Sequence, residues 1–113
     1  VVLMAIPHCK RTCPECPWRT DVEVRRFPPE RFIALAHTAE DMAMTAFACH
    51  KSPEGAEFAC AGATLRMEHN LRLRLSGIDR STVQADGPLF DTYREMAVAN
   101  GVPEDHPALR NVR

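Results

Sequence analysis

Cys13-Pro14-Glu15-Cys16-Pro17-Trp18-Arg19 is the stretch around which the rest of the chain has to be read. Two cysteines three residues apart can turn both sulfurs toward one metal, while amides of the turn hydrogen-bond the thiolates. A four-coordinate thiolate site needs two further ligands. Cys49 and Cys60 are available: Phe47-Ala48-Cys49-His50 closes an apolar segment, and Cys60-Ala61-Gly62 opens a helical one. A thiolate at a helix start is favoured by the helix dipole. Taken singly, Cys49 or Cys60 reads as a small buried hydrophobe. Beside an existing C-x-x-C pair, the ligand reading is the stronger one. The expected ligand set is therefore Cys13, Cys16, Cys49 and Cys60. His50, Cys9 and Trp18 are the candidates for the layer behind it or for an alternative ligand.

The length supports this economy. A chain of 113 residues makes one domain, here 1–113, with 1–8 and 104–113 expected as loosely packed ends. Nine prolines and few aromatics imply a small core with much of the chain in loops, the kind of scaffold that a metal staple helps. No segment approaches the roughly 20 apolar residues of a membrane span. The apolar run Val1–Ile6 is too short for a leader sequence and has no basic flank or cleavage site. The expected compartment is the cytosol, of a bacterium or a phage-infected host, where paired cysteines read as metal ligands before disulfides. The odd count of five cysteines agrees.

The expected architecture is mainly α, a small domain of about three helices with irregular Cys-rich metal-binding loops. Pro28-Pro29-Glu30 marks a helix start, with Phe32, Leu35, Ala36 and Ala39 following at helical spacing. Thr38-Ala39-Glu40-Asp41 resembles a capping box and predicts a restart. Pro53 and Gly55 mark 51–57 as a loop. Ala63, Met67, Leu71 and Leu75 form an i, i+4 stripe that predicts a second helix over 61–75, although Leu71, Leu73 and Leu75 also alternate as a strand would. The third helix is expected from Pro88 to about Ala99, stopped by Asn100-Gly101 and Pro103.

Four thiolates suit zinc or an iron–sulfur cluster. Pro17 holds Cys16 away from the α region and fixes φ negative right after it, where a zinc knuckle prefers a glycine-like residue. Cys-Pro is at home in ferredoxin-type cluster sites, and Trp18, Phe47 and Phe58 can shield a cluster from water. An iron–sulfur cluster, [4Fe–4S] among the types, is therefore the first expectation and Zn2+ the alternative. The implied roles are redox, electron transfer or regulation for a cluster, and a stapled protein- or nucleic-acid-binding module for zinc. Cys9 with Cys13 and Cys16 also spells the C-x3-C-x2-C of radical S-adenosylmethionine enzymes, but those need a far longer barrel.

These residues also carry a resemblance. Cys13-x-x-Cys16-Pro17-Trp18-Arg19, then Phe47-x-Cys49-His50-Lys51-Ser52-Pro53-Glu54-Gly55, then Cys60-x-Gly62, resemble a family of short uncharacterised proteins of actinobacteria and their phages. The similarity runs from about Cys13 to the third helix. It implies that Cys13, Cys16, Cys49 and Cys60 are the recurring set and that Cys9 is extra, and it implies no activity.

The remaining residues point less far. Arg66, Arg72, Arg74 and Arg80 read as a solvated face balanced by Glu68 and Asp79, because the net charge is only −1. Nucleic acid is accordingly not the favoured partner, and a protein partner stays open. His8, His37, His69 and His106 have no ligand-like spacing. No acid–base pair, phosphate loop or Ser-His-Asp set is visible, so no enzyme class is assigned. A thiol oxidoreductase using Cys13 and Cys16 lacks the βαβ context that such a motif needs.

Overall fold

The computed structural model describes residues 7–23, 27–48 and 59–112. Cys49, His50, the loop 51–57 and Phe58 lie outside the described residues, as does Val1–Ile6. Regular structure among the described residues is helical and short: α1 (Pro29–Leu35), α2 (Ala61–Arg66), α3 (Leu71–Leu75) and α4 (Tyr93–Ala99). Single 3-10 turns occur at Ala36–Ala39, Arg80–Thr82 and Pro107–Leu109. Among the described residues, extended segments meet only in isolated bridges. The result is a small, mainly helical single domain, as expected, but in four short helices. Its Cα radius of gyration of 13.2 Å is about that of one compact domain of this size.

α1 starts where the prolines and Glu30 place it, with Pro29 in the first turn. The restart at Thr38 does not form. Thr38 is buried, and its Oγ1 donates back to Leu35 O at 2.7 Å. The chain is already extended at Glu40, which bridges to Val112.

The single helix expected over 61–75 is broken into α2 and α3. Met67 leaves helical geometry at φ −114°, ψ 58°. Asn70 then caps α3, its Oδ1 accepting from Leu73 N at 3.0 Å. Asn70 is fully buried, and its Nδ2 donates to Thr38 O and Thr45 O at 2.8 and 2.9 Å. Continuing the helix would strand those polar groups, which is costly inside a core. At the C-terminal end of α2, Arg80 donates Nε to Thr64 O at 3.0 Å and Nη2 to Leu65 O at 2.6 Å. It thereby satisfies carbonyls that a helix end leaves open.

α4 is shorter than expected. Thr92 caps it by accepting from Glu95 N at 3.1 Å. Pro88–Phe90, expected as its first turn, runs extended beside the Cys-x-x-Cys segment instead. Thr20 N donates to Pro88 O and Phe90 N to Trp18 O, both at 2.9 Å. The stop is as expected, with Gly101 at φ 104° and Val102 N donating to Ala97 O. The end of the chain, expected to be loose, folds back: Leu109 and Val112 are buried, and Arg94 Nη2 donates to Leu109 O.

The core is centred on Trp18, Phe47 and Tyr93, whose rings meet edge-on with centroids 6.0–6.1 Å apart. Tyr93 also donates its hydroxyl to Phe32 O at 2.6 Å, tying α4 to α1. Among the described residues no helix is long and apolar enough to cross a membrane.

Candidate metal centre

Three short backbone pieces bring the cysteine segments together. Ala59 is bridged on one side to His8 and on the other to Ala48. Cys9 N donates to Ala59 O at 2.9 Å, and Cys60 N donates to Phe47 O at 3.0 Å. The residue that follows Ala48 in the chain is Cys49. On the other flank Cys16 N closes a turn onto Cys13 O at 3.1 Å, and Arg19 N closes the next onto Cys16 O at 3.0 Å. The loop is held in place by Thr12 N on Gln84 O and by the Arg11–Asp86 ion pair at 2.6 Å.

The outcome is a sulfur pair. Cys16 Sγ and Cys60 Sγ lie 4.0 Å apart, and these residues are 1% and 3% exposed. At that distance they are not disulfide-bonded, since an S–S bond is about 2.05 Å. Backbone amides near each sulfur favour its thiolate form. The N–H groups of Trp18 and Arg19 act on Cys16, and those of Gly62 and Ala63 act on Cys60. The hydrogen bond with Cys60 leads in lowering Cys16 to about 7; burial opposes it, and the two amides and the Arg19 charge assist. Cys60 is pushed well up by the Cys16 contact and by complete burial, against the pull of its own two amides. The opposite directions are those of two neighbouring thiols joined by one hydrogen bond, which favours ionisation of one member and opposes ionisation of the other.

Trp18 locks the two loops together. A Cβ on Gly62 would sit 2.5 and 2.6 Å from Trp18 Cβ and Cγ, so only glycine leaves room for the indole. Trp18 is fully buried, and its Nε1–H has no hydrogen-bond partner among the described residues. Tryptophan normally finds one when buried. The glycine of the Cys60-x-Gly62 motif was visible in the sequence, but the reason for it is this non-local contact.

Of the four expected ligands, the structure gathers Cys16 and Cys60. Cys13 and Cys9 are half-buried against the same core cluster. Cys49 and His50 lie outside the described residues, and the described residues alone bring together no group of three or more His, Cys, Asp or Glu with metal-binding geometry.

A family model matches residues 8–113. The chain belongs to DUF6283, a family of unknown function. The match takes in Cys9, Cys13, Cys16, Cys49 and Cys60 alike, and so spans every element of the DUF6283 fold described above. No curated protein and no solved structure matches the chain.

Proposed function

We propose that this DUF6283 chain is a small cysteine-ligated metalloprotein whose centre is built on Cys16 and Cys60, completed by Cys13 and Cys49. The observation that carries the reading is the buried Cys16–Cys60 sulfur pair, 4.0 Å apart. Two thiolates on one zinc ion stand about 3.8 Å apart, given Zn–S bonds near 2.3 Å and tetrahedral angles. A [4Fe–4S] cluster sets each thiolate on a different iron and spreads them further. The spacing therefore supports one shared ion, with zinc first. Such a site staples the N-terminal loop to α2 and makes the domain a binding module for a protein partner.

An iron–sulfur cluster is the second reading, supported by Cys16-Pro17 and by the aromatic cover of Trp18 and Phe47 over the pair. A [2Fe–2S] type reconciles it with the spacing, because each of its irons carries two thiolates. The protein would then serve redox or regulatory chemistry. The resemblance to actinobacterial and phage proteins supports a bacterial cytosol as the compartment of either form.

Anaerobic purification followed by metal, iron and sulfide analysis and an absorbance spectrum tests both. One zinc per chain, no colour and unfolding by chelator are expected. Brown protein with iron and sulfide selects the second reading. Cys16→Ser and Cys60→Ser should each lose the metal, while Cys9→Ser keeps it. Full metal retention in the Cys60→Ser protein would sink the site.

A further inference from the structure

The break between α2 and α3 creates a second feature, far in chemistry from the sulfur pair. Arg66, Glu68, His69, Arg74 and Arg80 line an open cavity of about 540 Å³. A smaller recess of about 260 Å³ shares Glu68, Arg74 and Arg80 and is also lined by Thr64, Met67, Leu73 and Ile78. A continuous 61–75 helix would have no such corner. The turn at Met67–Asn70 folds the arginines of both helices toward one space.

The charges in this space are unequal in what they have left to give. Glu68 is matched by Arg80 Nη1, and Arg80 also donates through Nε to Thr64 O and through Nη2 to Leu65 O. That pair is neutral and structural. Arg66 is anchored through Nε to Phe90 O at 3.1 Å, which orients the guanidinium while leaving its two terminal nitrogens. Arg74 is exposed and its side chain has no partner among the described residues. His69 donates from Nε2 to Ala39 O at 2.7 Å, which fixes the ring at the cavity wall. Two guanidinium groups with open donor forks, one of them pre-oriented, then face a concavity whose one carboxylate among the described lining residues, Glu68, is already paired. Planar forks of this kind match the oxygens of a phosphoryl group in bidentate fashion, and the volume lies within the range of small-ligand pockets.

We propose that this corner binds the phosphoryl group of a small phosphorylated molecule, with Arg74 and Arg66 as its direct ligands and Arg80 as the residue that shapes the site. The proposal does not depend on which metal, if any, Cys16 and Cys60 hold. The test is a titration of the protein as isolated, followed by amide chemical shifts and calorimetry. The probes are inorganic phosphate, pyrophosphate and a short single-stranded oligonucleotide, each at low and at physiological salt. Pyrophosphate is expected to bind and to shift amides of α2, the 67–70 turn and α3. Arg74→Gln should weaken it by about tenfold or more, the usual scale of a lost charge-assisted contact. Arg74 supports no other group, so this variant keeps its fold, and Arg66→Lys should show a smaller loss. Arg110→Gln, an exposed charge outside the cavity, should leave binding within about twofold. Absence of shifts at millimolar pyrophosphate would overturn the proposal, as would an equal loss in the Arg110 variant. Binding of the oligonucleotide alone, with a steep salt dependence, would overturn the small-molecule assignment.

Discussion

The two ends of α2, a helix of six residues, are chemically opposite. Its N-terminal end is dry: Cys60 precedes it, Ala61, Gly62 and Ala63 are buried, and Trp18 rests on Gly62. Its C-terminal end is open and polar, with Arg66 exposed and the last carbonyls taken by Arg80. Backbone polarity accounts for both choices. Amide N–H groups at the start favour sulfur that is becoming anionic, and carbonyls at the finish favour a guanidinium. The lesson lies in how the two ends are enforced. The sulfur end depends on close packing with no slack, whereas the arginine end depends on hydrogen bonds that water can partly replace.

That contrast can be broken by mutation. Gly62→Ala should be the most damaging single change, costing about 3 kcal/mol or more by urea unfolding, because its methyl group meets the root of a fully buried indole. Arg80→Met removes two carbonyl contacts and the Glu68 pair, but the side chain is 41% exposed. Solvent screening and substitute water should hold its cost to about 1 kcal/mol. Equal costs would mean that the two ends are not held by different means.

A subtler test uses pH on metal-free protein. Cys16 is lowered to about 7 in the fold, so its contribution is present above the ordinary thiol range and is lost as pH falls through 7. Cys60 is raised well above 9.0, so its contribution is present below the ordinary value and is lost as pH rises toward the folded one. Stability should therefore climb from pH 7 to about 9 and fall beyond it. Thiolate absorbance near 240 nm should show one sulfur ionising early. A flat profile with both thiols titrating together near 9 would mean that no hydrogen bond joins the pair.

Local signals were legible in the chain, and distant ones were not. Pro29 and Glu30 announce α1, and Asn100-Gly101 announces the end of α4, because each acts within one turn. The sequence grouped Cys16 and Cys60 with Cys13 and Cys49 as one expected ligand set, and the structure brings the first two to 4.0 Å of each other. The split at Met67–Asn70 was not legible, because Asn70 is held by Thr38 O and Thr45 O, which are 32 and 25 residues away. The extended course of Pro88–Phe90 likewise depends on Trp18 and Thr20, far upstream. The arginines looked like a solvated face on a straight helix and became a cavity once that helix was bent.

Trp18 is the chain's one tryptophan, buried two residues from Cys16 and in contact with the loop that carries Cys60. Emission excited at the red edge of the indole band, beyond tyrosine absorption, therefore has a single origin, placed at the junction of the sulfur segments. Loading, stripping or oxidising those sulfurs should change its intensity without any label being attached, while events at the arginine cavity leave it largely dark to them. The molecule carries its own optical gauge for one end of α2 and none for the other.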